Sequence, residues 1–131
     1  MKTYATVVGV VKYKDRILLL KRHSKRSCSP NKWQPVSGYF KEKEAAEDAV
    51  LREVKEETGL DGKIIKAGKV FENKDKWGRW ITKLFLIKVK SNKLKLDPHE
   101  HSEHRWIKPA EYSKFECIGD IKKDLKVLGL I

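Results

Sequence analysis

Three glutamates, Glu53, Glu56 and Glu57, follow an arginine, Arg52, inside a stretch that reads as one helix from Glu44 to Thr58. The helix stops at Gly59, the residue type that most easily takes the left-handed backbone of a helix C-terminus. Positions i, i+3 and i+4 are neighbours on a helix, so the three carboxylates project from one narrow stripe. Ala46 and Ala49 continue the stripe towards the N-terminus, with Val50 and Val54 beside it. Small residues let the first half of the helix lie close to a sheet, and the second half then leans its acids inward. Like charges at this spacing repel, and acids in the last turns oppose the helix dipole. A chain with 30 Lys and Arg against 18 Asp and Glu had cations to place there instead. A hard divalent cation with oxygen ligands would compensate the repulsion, and that is the chemistry the stripe points to. The competing reading is a solvated acidic face, with Arg52 and Lys55 close by.

The helix belongs to a longer pattern: Gly38, five residues, Glu44, seven residues, then Arg52-Glu53-Val54-Lys55-Glu56-Glu57-Thr58-Gly59-Leu60. This resembles the signature of the Nudix hydrolases, G-x5-E-x7-R-E-U-x-E-E-x-G-U with U an aliphatic residue, and every specified position is met within residues 38–60. The resemblance implies an α/β/α sandwich around a mixed β-sheet and a metal-dependent pyrophosphohydrolase. It implies that Glu53, Glu56 and Glu57 bind divalent metal, usually magnesium with manganese as a substitute. Glu44 and Arg52 would form a supporting pair that holds the helix and orients Glu53. Gly38 would allow a tight turn into the loop before the helix, where a Cβ is costly. Most members carry Gly just before it, whose backbone carbonyl binds metal; this chain has Ser37, and a carbonyl ligand does not depend on the side chain. The implied substrate is a nucleoside diphosphate linked to another group, often a nucleoside triphosphate. Metal neutralises the phosphate oxygens and lowers the pKa of an attacking water, and a carboxylate takes its proton as general base. A triphosphate would give the monophosphate and pyrophosphate.

In this family the base often lies outside the signature segment 38–60 (the Nudix box), in a late loop. Here that loop reads His99-Glu100-His101-Ser102-Glu103-His104-Arg105-Trp106. Glu100, as base or further metal ligand, is preferred to Glu103, because Glu-His before an aromatic strand resembles the late motif of dihydroneopterin triphosphate pyrophosphatases. A box glutamate is the remaining alternative. The spacing of the loop histidines does not define a zinc site. Arg22 stands where many members keep a phosphate-binding arginine, with surface charge as its other reading. Trp33-Gln34-Pro35-Val36-Ser37-Gly38 looks like the approach to the box in the dihydroneopterin triphosphate and dATP pyrophosphatase branch, which makes Trp33 and Gln34 candidate substrate contacts; a core role for Trp33 is equally open. RNA 5'-pyrophosphohydrolases and dinucleoside polyphosphate hydrolases also place Trp-Gln there. Trp77 and Trp80 are suited either to base stacking or to packing a hairpin.

These residues need a scaffold. Tyr4–Lys12 and Ile17–Arg22 read as strands, with a turn at Lys14–Asp15 and a polar loop from His23 to Lys32. Trp33–Ser37 returns as an extended piece. Lys63–Phe71 and Trp80–Lys90 form a pair joined around Asn73–Gly78, and Leu84 to Ile87 are apolar on both faces, as in a strand covered on both sides. His104–Ile107 is a further strand, and Ile118, Ile121, Leu125 and Leu128 repeat at helical spacing. Strands mixed with two separate helices give an α/β fold with a mixed sheet.

The chain has 131 residues and 40% hydrophobic residues, which fits a single domain over 1–131. No targeting segment or membrane span is legible, and Cys28 and Cys117 match no metal or redox spacing. Reduced thiols and a cytoplasmic location are the expectation. The net charge of +12 favours polyanionic partners such as nucleotides. RNA stands among these, no DNA or membrane partner is expected, and the oligomeric state is left open. A catalytically silent nucleotide- or RNA-binding module is the rival from another class, and the intact set of glutamates argues against it.

Overall fold

The computed structural model describes residues 1–26 and 29–131. Its strands are β1 (Thr3–Tyr13), β2 (Arg16–Arg22), β3 (Trp33–Gln34), β4 (Val36–Tyr39), β5 (Gly62–Asp75), β6 (Gly78–Val89) and β7 (His101–Ile107). Two helices, α1 (Ala46–Thr58) and α2 (Ile121–Val127), and a 3-10 turn at Pro109–Lys114 complete the elements among the described residues. One mixed sheet runs β3-β2-β1-β6-β5, with β4 also paired to β1 and β7 to β2. The β1–β6 pair is parallel, from Thr3 opposite Arg79 to Lys12 opposite Lys88.

Alternation along the strands divides the core into two layers. Val7 and Val11 of β1, Leu18 and Leu20 of β2, and Phe85 and Ile87 of β6 pack with Ala49, Val50 and Val54 of α1. Val10, Ile17, Leu19, Leu84 and Leu86 face the other way and meet Ile121, Leu125 and Leu128. The sheet is therefore sandwiched between helices, as the sequence pattern implies. No helix among the described residues is long and apolar enough to cross a membrane.

Several boundaries differ from the sequence reading, each for a local reason. Helix α1 starts at Ala46, because Lys43 takes a left-handed backbone (φ 61°) and Ala45 is extended. The hairpin turn is tighter than Asn73–Gly78. Asp75 Oδ1 accepts the backbone N–H groups of Trp77 (2.8 Å) and Gly78 (3.1 Å), so Asn73 and Lys74 remain in β5. Strand β7 begins three residues early, at His101. Ile118 lies outside α2; its N–H donates to the Trp33 carbonyl (2.9 Å), and Asp120 caps the helix through the Lys123 N–H. Cys117 is a half-buried free thiol whose pKa burial pushes up to about 11, whereas Cys28 lies outside the described residues.

Candidate active site

Helix α1 approaches the sheet closely where β1 has no side chain: a Cβ on Gly9 would meet Val50 Cγ2 at 2.9 Å. At its far end Gly59 is left-handed (φ 75°) and donates to the Lys55 carbonyl. Between these points Arg52 acts as a clamp. Its Nε and Nη2 bind both oxygens of Glu44 (2.8 and 2.9 Å), Nη1 donates to Glu53 Oε1 (2.8 Å), and Nη2 also reaches the Tyr39 carbonyl (2.9 Å). The bidentate pair with Arg52, followed by the Lys41 N–H, holds the Glu44 carboxyl down at about 2. The Glu44–Arg52 pair is the one the family resemblance implies, and Arg52 carries the connection on to Glu53.

The three helix glutamates occupy different environments. Glu57 is 4% exposed, Glu53 is largely covered, and Glu56 lies out in solvent with about half its side chain exposed, bonded to Arg52 (3.1 Å). Burial pushes the Glu57 pKa well up, and the neighbouring charges of Glu53 and Glu100 push the same way, against one backbone N–H from Ser37. Burial also raises Glu53, offset by Arg52. One buried oxygen of Glu57 has no hydrogen-bond partner among the described residues. Glu57, Glu100 and His101 each offer a ligand atom, and these atoms lie within 4.8 Å of one another. Inward acids, self-repelling and with an unsatisfied oxygen, fit a divalent cation with oxygen ligands.

Gly38 is needed for a different reason from the one expected. Its backbone is not left-handed, and it pairs with Val7 inside β4. A Cβ at this position would fall within the Glu53 carboxylate. The glycine makes room for the Glu53 carboxylate rather than for a turn.

The carboxylates open into a cleft of about 810 Å³ whose lining takes in residues of α1 and β4 together with residues of β5, β6 and α2. Arg22, Arg26 and Lys41 line the part near the acids, together with Gln34 and Ser37. Arg26 lies 3.9 Å from Glu100. The other wing is lined by Phe71, Trp80, Thr6, Thr82, Asp120 and Asp124. There the Thr6 and Thr82 hydroxyls are hydrogen-bonded at 3.0 Å. Trp80 stacks on Tyr4 with ring centroids 4.5 Å apart. Burial, then the charge of Asp120, pushes the Asp124 carboxyl from 3.8 to about 7.

Glu53, Glu57, Glu100, Arg22, Gln34 and Ser37 thus meet in one cleft. Trp33 does not line it: its ring packs edge-on against Phe115 at 5.2 Å, on the α2 side of the sheet. Glu103 is turned away from the cleft and pairs with Lys21 (3.4 Å) and Arg105 (3.5 Å). The sequence reading passed over His101 and Asp124. For Asp124 a signal was present, because it falls three residues after Ile121 and four before Leu128, on the apolar side of α2.

Comparison with known proteins agrees with this arrangement. The family model for the NUDIX domain matches residues 3–125. A Caenorhabditis elegans relative named among the nudix hydrolases is 32% identical over 108 residues, which is 80% of this chain; the chain spans about 28% of that protein. The solved structure of a MutT NUDIX hydrolase from Burkholderia pseudomallei superposes with a TM-score of 0.82 at 21% identity, covering 98% of this chain and 99% of that one. A C. elegans Ap4A hydrolase gives 0.73 at 22% identity, over 97% and 94% of the two chains. The NUDIX domain of Shewanella oneidensis NrtR, solved with ADP ribose, gives 0.81 at 18% identity, over 98% and 88%.

Proposed function

The chain belongs to the NUDIX family, and from that membership we propose that it is a metal-dependent pyrophosphohydrolase of nucleoside triphosphates or related nucleoside diphosphate derivatives. One observation carries the reading. A cluster of inward carboxylates and a pocket lined by aromatic, hydroxyl and acid groups occupy the two ends of a single cleft, with Arg22, Arg26 and Lys41 near the acids.

Glu53, Glu56, Glu57 and the Ser37 carbonyl would hold the cation, Mg²⁺ or Mn²⁺ in its place. When bound it supplies charge for the phosphate oxygens and acidity for a water. The protein's own groups do the rest. The Arg52–Glu44 pair fixes Glu53 in its place, and Arg22, Arg26 and Lys41 attract and orient the polyphosphate. Glu100, on the loop that enters β7, takes the proton of the attacking water at its carboxylate. The base and sugar occupy the second wing, against Trp80 and Phe71 and within reach of the Thr6–Thr82 hydroxyls and Asp124.

A second reading keeps the chemistry and lengthens the substrate to a dinucleoside polyphosphate or the 5'-triphosphate end of RNA. The stacked Tyr4 and Trp80 rings, with Tyr39 6.4 Å from Trp80 at the cleft wall, favour it as a platform for another base. Initial rates on a panel of nucleoside triphosphates, dinucleoside polyphosphates and 5'-triphosphorylated RNA separate the two. The primary reading expects the highest kcat/KM on a mononucleotide, with pyrophosphate as the second product. Orthophosphate release, or activity confined to the longer substrates, would overturn it.

A further inference from the structure

His101 is 2% exposed at the start of β7 and has no part in the chemistry above. Its hydrogen bonds define its proton. Arg22 Nη1 lies 3.4 Å from Gln34 Oε1, and a guanidinium only donates, so that atom of Gln34 must be the carbonyl oxygen. The Ser37 hydroxyl donates to the same oxygen at 3.4 Å. The amide nitrogen of Gln34, itself only a donor, then faces His101 Nε2 at 3.1 Å, and Nε2 must accept. A neutral imidazole accepting at Nε2 carries its hydrogen on Nδ1. Among the described residues this buried Nδ1–H has no hydrogen-bond partner, and neither has Oε2 of Glu57. A ring nitrogen of His101 and carboxylate oxygens of Glu57 and Glu100 lie within 4.8 Å of one another, a gap that one water or a small side-chain movement closes.

We propose that His101 is a positioning residue for the carboxylate cluster: through a bridging water or a small side-chain movement its Nδ1–H holds the otherwise unpartnered oxygen of Glu57, while Arg22 and Gln34 lock the ring in the tautomer that can donate. The inference rests on the reading of Glu57 as a cation ligand. A carboxylate fixed by a donor on one oxygen presents its remaining lone pairs in one direction, which is what a cation site requires. The same network excludes His101 as a nitrogen ligand through Nδ1. That role needs the hydrogen on Nε2 and the Gln34 amide reversed, which sets its NH₂ against the Arg22 guanidinium, donor to donor.

Two measurements test the assignment without using turnover. Long-range ¹H–¹⁵N correlation on the metal-free protein reports the ring tautomer, and the hydrogen is expected on Nδ1. Titration with Mn²⁺, followed by electron paramagnetic resonance, reports affinity and any directly bound nitrogen. His101→Leu and His101→Gln should each weaken Mn²⁺ binding about tenfold or more, whereas His101→Asn, whose amide N–H replaces Nδ1–H, should stay within about threefold of wild type. A hydrogen on Nε2, a ¹⁴N coupling of a bound imidazole, or an Asn variant no better than the Leu variant would overturn the proposal. Glu57→Gln, measured alongside, separates the underlying reading: wild-type Mn²⁺ affinity in that variant would remove Glu57 as a ligand, and the positioning role with it, even with the hydrogen found on Nδ1.

Discussion

Asp124→Asn isolates the acid in the second wing of the cleft. The folded protein raises this carboxyl from 3.8 to about 7, through burial and then the charge of Asp120, with Lys123 opposing. A raised folded-state pKa gives a contribution that is whole below the unfolded value and lost as pH climbs through the folded one. Wild type should therefore lose stability between about pH 4 and pH 8 through this group, while the uncharged Asn side chain of similar size loses none. At about 1.4 kcal/mol per pH unit, the rise from 3.8 to about 7 is worth at most about 4 kcal/mol, and screening on the open side of the cleft brings it to about 2 kcal/mol. Urea denaturation of the two metal-free proteins across this range reads the effect as a difference that grows with pH in favour of the variant. The glutamate cluster titrates in both proteins and cancels. The neutral acid also offers a donor and an acceptor to a base edge, so wild-type KM for the best nucleotide should rise above pH 7 and stay flatter in Asp124→Asn. Parallel stability curves would refute the raised pKa; a growing difference with identical KM profiles would refute the role in the base wing.

The carboxylate cluster gives three more expected outcomes. Glu57→Gln and Glu53→Gln should each lower turnover at least about 100-fold, equivalent to about 2.7 kcal/mol of barrier. Because burial raises the pKa of both, their stability contributions are lost as pH rises above the usual carboxylate range. Metal-free melting at pH 8 should therefore be equal or higher in these variants, while the stabilisation that added Mg²⁺ gives wild type should shrink. Gly38→Ala should fold with a melting temperature near wild type, yet lose about 10–100-fold in activity and metal affinity as the new methyl displaces the Glu53 carboxylate. Glu100→Gln should lower kcat about 100-fold with little change in Mg²⁺ affinity; recovery of the rate at high Mg²⁺ would make it a ligand only, and near-normal kinetics would move the base into the box.

Helix α1 and its acids were legible because a single element carries them, and 3.6-residue periodicity needs no partner to be read. How those acids divide was not. Glu57 is buried and Glu56 is solvated because β4 passes over one side of the stripe, a fact of tertiary packing. The late loop shows the same limit. Lys21 pairs with Glu103 and Arg22 with His101, so a bulge at Ser102 puts Glu103 and His101 on opposite faces. Regular alternation would have put them on the same face, and no local signal marks the extra residue. Trp33 sits in a two-residue strand, too short for periodicity to assign its face. The Arg22–Gln34–His101 chain joins positions 12 and 67 residues apart, and becomes visible only once β2, β3 and β7 are adjacent.

In the proposed function the clustered carboxylates of α1 and the β7 loop drive hydrolysis of a nucleotide anhydride bound in the cleft. The most direct test is product analysis of nucleoside triphosphates incubated in H₂¹⁸O with and without Mg²⁺, using wild type and Glu57→Gln. Mg²⁺-dependent formation of monophosphate and pyrophosphate is expected, with one ¹⁸O incorporated per cleavage, abolished by chelator and by the variant. Tight nucleotide binding in the cleft with no cleavage of any substrate in the panel, in either metal, would contradict this function and leave a binding module on the same fold.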